Sequence, residues 1–139
     1  MRGKILVVDD DPDSGSLIAQ ILSLRAFDAG SVGSARECLE QLNLATFDVV
    51  ITDVRMPVMS GIELCRAIRD LHPDILVVVI TGDPSRDSAS EATAAGAYDY
   101  IYKPVTIGLL DVVLVQATSL ARLRREVSGA GTVRVLVNG

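Results

Sequence analysis

The chain has 139 residues and a mass of 14.8 kDa, enough material for one domain. Hydrophobic residues make up 49% and charged residues 22%, which supports a packed core and excludes disorder as a description of the whole. Thirteen Lys and Arg against eighteen Asp and Glu leave a net charge of -5, a poor electrostatic match to nucleic acid or an anionic membrane.

Residues 5–8, Ile-Leu-Val-Val, form an apolar run that ends in three aspartates. It is too short for a signal peptide and suits a strand. Asp11-Pro12 then sets a capping carboxylate before a proline at the first helical position, and Leu17, Ile18, Ile21 and Leu22 follow at helical spacing. A weak second strand is expected over residues 29–32. Ser34-Ala35-Arg36-Glu37 reads as a capping box that opens a second helix. The third apolar run is Val49-Val50-Ile51-Thr52, and a second capping box, Ser60-Gly61-Ile62-Glu63, starts the third helix.

A fourth strand is predicted over residues 75–80. The fourth helix, residues 85–95, carries Ser, Thr and Ala without a large apolar side chain, so its packing is expected to be weak. Gly96 is its stop signal. A fifth strand follows over residues 98–102, and Thr106 caps the last helix. The first, third and fourth runs are apolar on both alternations, the mark of strands covered on both faces. Strands alternating with helices imply an α/β domain with right-handed crossovers and helices on both faces.

The domain is expected to occupy residues 1–125. Residues 126–139 read as a tail or linker leading toward an output domain, with a flexible break at Ser128-Gly129-Ala130-Gly131 and a stray strand over 132–137. Cys38 and Cys65 stand outside metal-ligand spacing and read as small buried hydrophobes. His72 is expected at a helix end or on the surface, and Asp48 and Asp99 as strand-edge charges. Arg122, Arg124 and Arg125 suit a helix C-terminus better than a basic patch. The most apolar stretch, residues 105–121, contains Asp111 and Gln116 and falls short of a membrane span. A cytoplasmic protein is the expectation, without membrane or direct nucleic-acid binding by this segment.

Ligands of open parallel sheets bind beyond the carboxyl ends of the strands. Asp9 and Asp10 follow the first strand, Asp53 the third, Thr81 ends the fourth and Lys103 the fifth. Three carboxylates, a hydroxyl and an ammonium are thus expected at one edge. Close carboxylates raise one another's pKa unless a cation sits among them. An open site of oxygen ligands suits magnesium, and a carboxylate can act as a nucleophile toward phosphorus. A lysine, a hydroxyl and a metal are the remaining parts that phosphoryl transfer needs.

These residues resemble the receiver domain of two-component response regulators. The resemblance rests on Val7-Val8-Asp9-Asp10-Asp11, on Asp53-Val54-Arg55-Met56-Pro57 with Ser60-Gly61, on Thr81-Gly82, on Gly96-Ala97-Tyr98-Asp99-Tyr100 and on Lys103-Pro104. It implies a flavodoxin-like, doubly wound parallel sheet of five strands in the order 2-1-3-4-5, with five helices in a three-layer α/β/α sandwich. It also implies that Asp53 accepts a phosphoryl group from a sensor histidine kinase or phosphotransfer protein. Asp10 binds Mg2+ directly with Asp9 nearby, and Asp53 and the Arg55 main-chain carbonyl supply further oxygens. Thr81 and Lys103 contact the phosphoryl oxygens, Tyr100 is a switch aromatic, and the Lys103-Pro104 bond is cis.

Arg55 and Asp83 flank the expected pocket with opposite charges. The apolar arc of the last helix, with Leu109, Val113, Gln116, Leu120, Leu123 and Val127 as a seam, suggests a homodimer through the fourth helix, fifth strand and last helix. The expected protein is a switch with autocatalytic phosphotransfer and autodephosphorylation, not an enzyme with turnover. The rivals are a haloacid-dehalogenase-like phosphohydrolase, which needs an acid where Arg55 stands, and a non-phosphorylated interaction module.

Overall fold

The computed structural model describes residues 2–82 and 86–138, with side chains over 2–82 and 88–127. The elements alternate as expected: β1 (Lys4–Val8), α1 (Pro12–Leu24), β2 (Asp28–Val32), α2 (Ala35–Leu44) and β3 (Val49–Asp53). They continue with α3 (Gly61–Leu71), β4 (Leu76–Thr81), α4 (Arg86–Ala94), β5 (Asp99–Tyr102) and α5 (Ile107–Asn138). All strand pairs are parallel, in the order β2-β1-β3-β4-β5, which is the doubly wound flavodoxin-like sheet.

Alternation along the strands divides the core into two layers. Ile5 and Val7 of β1, Ile51 of β3 and Val78 and Ile80 of β4 pack under α1 and α5 with Leu22, Leu110, Leu114 and Ala117. Leu6, Val8, Val50, Val77 and Val79 point the other way, against Leu42, Ile62, Cys65 and Ile68 of α2 and α3. Burying both faces explains why β1, β3 and β4 are apolar without interruption. The weak second strand takes the edge, where Gly30 and Ser31 lie against solvent on one side. From α4 only Ala92 joins the core, with Ala95 just beyond its end, so that helix buries little apolar area, as its composition predicts.

The predicted caps form. Asp11 accepts from the Asp13 amide at 3.1 Å, and Thr106 Oγ1 accepts from the Leu109 amide at 3.2 Å. Ser60 and Glu63 make both halves of a capping box. At α2, Ser34 caps Glu37, but the Glu37 carboxylate turns to the Gly33 amide instead of closing the box. Gly96 takes the left-handed conformation (φ 89°) after α4, and Arg69 lies so close that a Cβ there would sit 2.4 Å from its Cδ. Burial pushes the thiols up, Cys38 to about 12 and Cys65 to about 11, so both are inert hydrophobes.

Three expectations change. α5 runs as one helix through Asn138, across the expected break at 128–131 and the run at 132–137. Asp48 is buried, not an edge charge. It accepts from the Lys4 amide at 2.8 Å and pairs with Arg125 and, at 3.6 Å, with Arg122. Those arginines therefore neutralise a buried carboxylate and fasten α5 to the start of β3, instead of serving a helix end. His72 does cap α3 through its amide, donating to the Ile68 carbonyl at 2.6 Å, but its Nε2 is buried without a hydrogen-bond partner among the described residues.

The end of α1 yields a prediction. The Phe27 amide donates to Leu22 O at 3.1 Å and the Ala26 amide to Ser23 O at 3.2 Å, while Phe27 and Leu22 pack together in the core. This is a Schellman motif, yet its left-handed residue is Ala26 (φ 70°) where glycine is unstrained. Ala26→Gly is expected to raise stability by about 1 kcal/mol. Thermal unfolding should show a Tm higher by about 3 °C.

Candidate functional site

The strand order puts β1, β3, β4 and β5 side by side, so the residues that follow them meet at one edge. Val8 pairs with Thr52, Asp53 with Ile80 and Thr81 with Tyr102, which aligns the four carboxyl ends. Asp9, Asp10 and Asp53 each present an oxygen within 4.8 Å of the other two. Asp9 is buried and accepts from the Asp11 amide at 3.0 Å, Asp53 is half-buried and Asp10 is exposed. The donor set is all hard oxygen and open to water on the Asp10 side, which fits Mg2+ better than a closed cage. A shallow cavity beside it is lined by Asp10, Val54, Arg55, Met56, Pro57 and Ser60.

Lys103 Nζ lies 3.0 Å from Asp53 Oδ2. Burial pulls the Lys103 pKa down, but the hydrogen bond to Asp53 and the charges of Asp53, Asp9 and Asp10 outweigh it, and the net shift is upward. The Lys103 amide donates to Thr81 O at 2.8 Å, so the lysine and the buried threonine move as one strand end. The Lys103-Pro104 peptide is cis, as expected. Tyr100 packs its ring into the layer beneath α3 and α4 and stands edge-on to Tyr102 at 5.3 Å. Its hydroxyl is buried with no hydrogen-bond partner among the described residues. Asp83 lies outside the described residues, so its pairing with Arg55 has no structural account here.

Two features of the loop after Asp53 escaped sequence reasoning. Gly61 packs so tightly on the Asp53 peptide that an added Cβ would fall 2.0 Å from the Asp53 carbonyl oxygen, which only glycine permits. Its amide closes the loop by donating to Val54 O at 2.8 Å. Val58 sits at the centre of a γ-turn, φ 71°, with the Met59 amide on Pro57 O at 2.8 Å. A β-branched residue there is strained. The only signal in the chain was a glycine at the first position of a helix, which composition alone does not explain.

The model of the response regulator receiver domain family matches residues 5–114, most of the chain. The chain belongs to the response regulator receiver domain family. It is 38% identical over 125 residues to response regulator protein PilR of Pseudomonas aeruginosa, covering 90% of this chain and 28% of that protein. It spans about a quarter of the length of the curated relatives it matches. Among solved structures it resembles a receiver domain protein from Clostridium thermocellum, with 33% identity and a TM-score of 0.81, covering 87% of this chain and 98% of that one. It also resembles the beryllofluoride-activated NtrC4 receiver domain dimer, with 30% identity and a TM-score of 0.80 over 87% and 99% of the two chains. Among the described residues, no helix of this receiver domain is long and apolar enough to cross a membrane.

The electrostatics of this receiver site give a pH prediction. Because the Lys103 pKa is raised, its pairing with Asp53 is fully present below the ordinary lysine value of 10.5 and is lost only as pH rises through the higher folded value. NMR titration of the Lys103 side chain should therefore give a midpoint above 10.5, and Asp53→Asn should bring it down.

Proposed function

We propose that this receiver domain is a phosphorylation-operated switch whose phosphoacceptor is Asp53. The observation that carries the reading is the 3.0 Å Lys103–Asp53 contact beside two further carboxylates. One Asp53 oxygen attacks phosphorus in line, the P–N bond to a donor phosphohistidine breaks, and the leaving imidazole nitrogen keeps the electron pair and takes a proton. The donor is a sensor histidine kinase or a phosphotransfer protein. Asp10, Asp53 and the Arg55 carbonyl would hold Mg2+, with Asp9 behind them. When bound, the ion supplies positive charge for the phosphoryl oxygens.

Esterification removes the Asp53 charge, so Lys103 turns from the carboxylate to a phosphoryl oxygen and the Thr81 hydroxyl takes another. Moving Thr81 disturbs β4 and β5 next to Tyr100, whose buried and unpartnered hydroxyl makes the inward ring easy to displace. The lightly packed α4 is free to follow. The chemical event is thus a local change of charge that biases a two-state element. No repeated turnover of a small substrate is needed, and Arg55 stands where a phosphohydrolase of the aspartyl-phosphate type would place its acid. Arg55 and Asp83 flank the mouth and are assigned to control how readily water reaches the acyl phosphate.

Residues 1–125 form the switch, and the tail from 126 leads toward an output that acts in the cytoplasm. The homodimer surface is assigned to α5 and its neighbours in β5 and α4. The expected seam shifts, because Val113 is buried against the sheet and Leu120 is half-buried. Tyr102, Leu109, Val112, Val115, Leu123 and Val127 are the exposed members instead. This is a large apolar surface for a monomer to leave in water.

Acetyl phosphate with Mg2+ should add one phosphoryl group to the wild-type chain, read by intact mass, and none to Asp53→Asn. Lys103→Ala should slow labelling by about 100-fold. Equal labelling of Asp53→Asn would defeat the assignment. Sedimentation with beryllofluoride should show a dimer that Val112→Asp returns to monomer.

A further inference from the structure

Thr52 is fully buried at the end of an otherwise apolar strand, and the phosphoryl chemistry leaves its hydroxyl unused. Its Oγ1 donates to the Asp53 main-chain oxygen at 3.0 Å and lies 3.9 Å from Met56 Sδ. On the other side of the same peptide, the Val54 amide donates to Ile80 O at 3.1 Å. The peptide joining Asp53 to its loop is therefore hydrogen-bonded at both its oxygen and its nitrogen. Gly61 closes the third side, where a Cβ would meet both the Asp53 oxygen and, at 3.1 Å, Thr52 Oγ1.

The orientation of this peptide sets the ψ of Asp53 and the φ of Val54, the two torsions that aim the chain toward Arg55. A buried hydroxyl between the Asp53 carbonyl and Met56 thus touches the loop on both sides of Arg55. We infer that Thr52 is a positioning residue for the divalent-cation site: its hydroxyl holds the Arg55 carbonyl where it can join the carboxylates of Asp9, Asp10 and Asp53. This inference rests on the receiver chemistry proposed above.

Thr52→Val keeps the branched shape and removes the hydroxyl, whereas Thr52→Ser keeps the hydroxyl and removes a methyl. Mg2+ affinity, read from amide shifts in NMR titrations of the full chain, should fall roughly five- to tenfold in Thr52→Val and stay within about twofold of wild type in Thr52→Ser. Metal-free thermal unfolding should rank the variants differently, since the lost methyl costs packing. Wild-type affinity in Thr52→Val would overturn the positioning role, as would equal weakening in both variants that follows their loss of metal-free stability. If Thr52→Val does not fold, Thr52→Ala decides the same contrast against Thr52→Ser. Failure of the wild-type chain to bind Mg2+ at all would instead remove the receiver chemistry on which the role depends.

Discussion

Carboxylates gathered within 4.8 Å repel one another, and the sheet must hold Asp9, Asp10 and Asp53 together against that repulsion. It does so with backbone and with one cation. Parallel pairing between β1 and β3 aligns the strand ends, the Asp11 amide takes one Asp9 oxygen, and Lys103 supplies positive charge from two strands away. Every other feature of the site follows from that concentration of negative charge. It explains why the Lys103 pKa is raised despite burial, and why a divalent cation is a natural guest. A neutralised Asp53 must then change what Lys103 touches.

The same molecule separates what is held rigidly from what is free to move. β3 is gripped at both ends: Asp48 by Arg122, Arg125 and the Lys4 amide, and the Asp53 peptide by Thr52, Ile80 and Gly61. A second tie, from Arg2 to Asp111 at 2.7 Å, joins the chain before β1 to the first turns of α5. α4 has no comparable tie among the described residues, and it contributes only Ala92 to the core. Rigid strands beside a lightly held helix suit a switch, because strain at the acid cluster relaxes where the fewest contacts are lost.

α5 carries two roles on one surface. Leu110, Val113, Leu114, Ala117 and Ala121 are consumed by the core, so Leu109, Val112, Val115 and Leu123 are left outside. The helix also extends past the domain through Asn138, so any partner seated on it reads the domain's orientation directly. Its attachment through Asp48 lies at the opposite end of β3 from Asp53. The exit of the chain and the phosphoacceptor are therefore two ends of one strand.

Much of this was legible in the linear chain. The step from apolar to acidic at Asp9 and Asp53, the caps at Asp11, Ser60 and Thr106, and the composition of α4 are local signals, carried by a few adjacent residues. Such signals determine which elements form and which chemistry stands at their ends. The burial of Asp48, the tight seat of Gly61, the hydroxyl of Thr52 and the outward face of α5 were decided only in three dimensions. Each depends on atoms brought from elements remote in the chain, and a residue's own neighbours cannot tell which of its faces another helix or strand will cover.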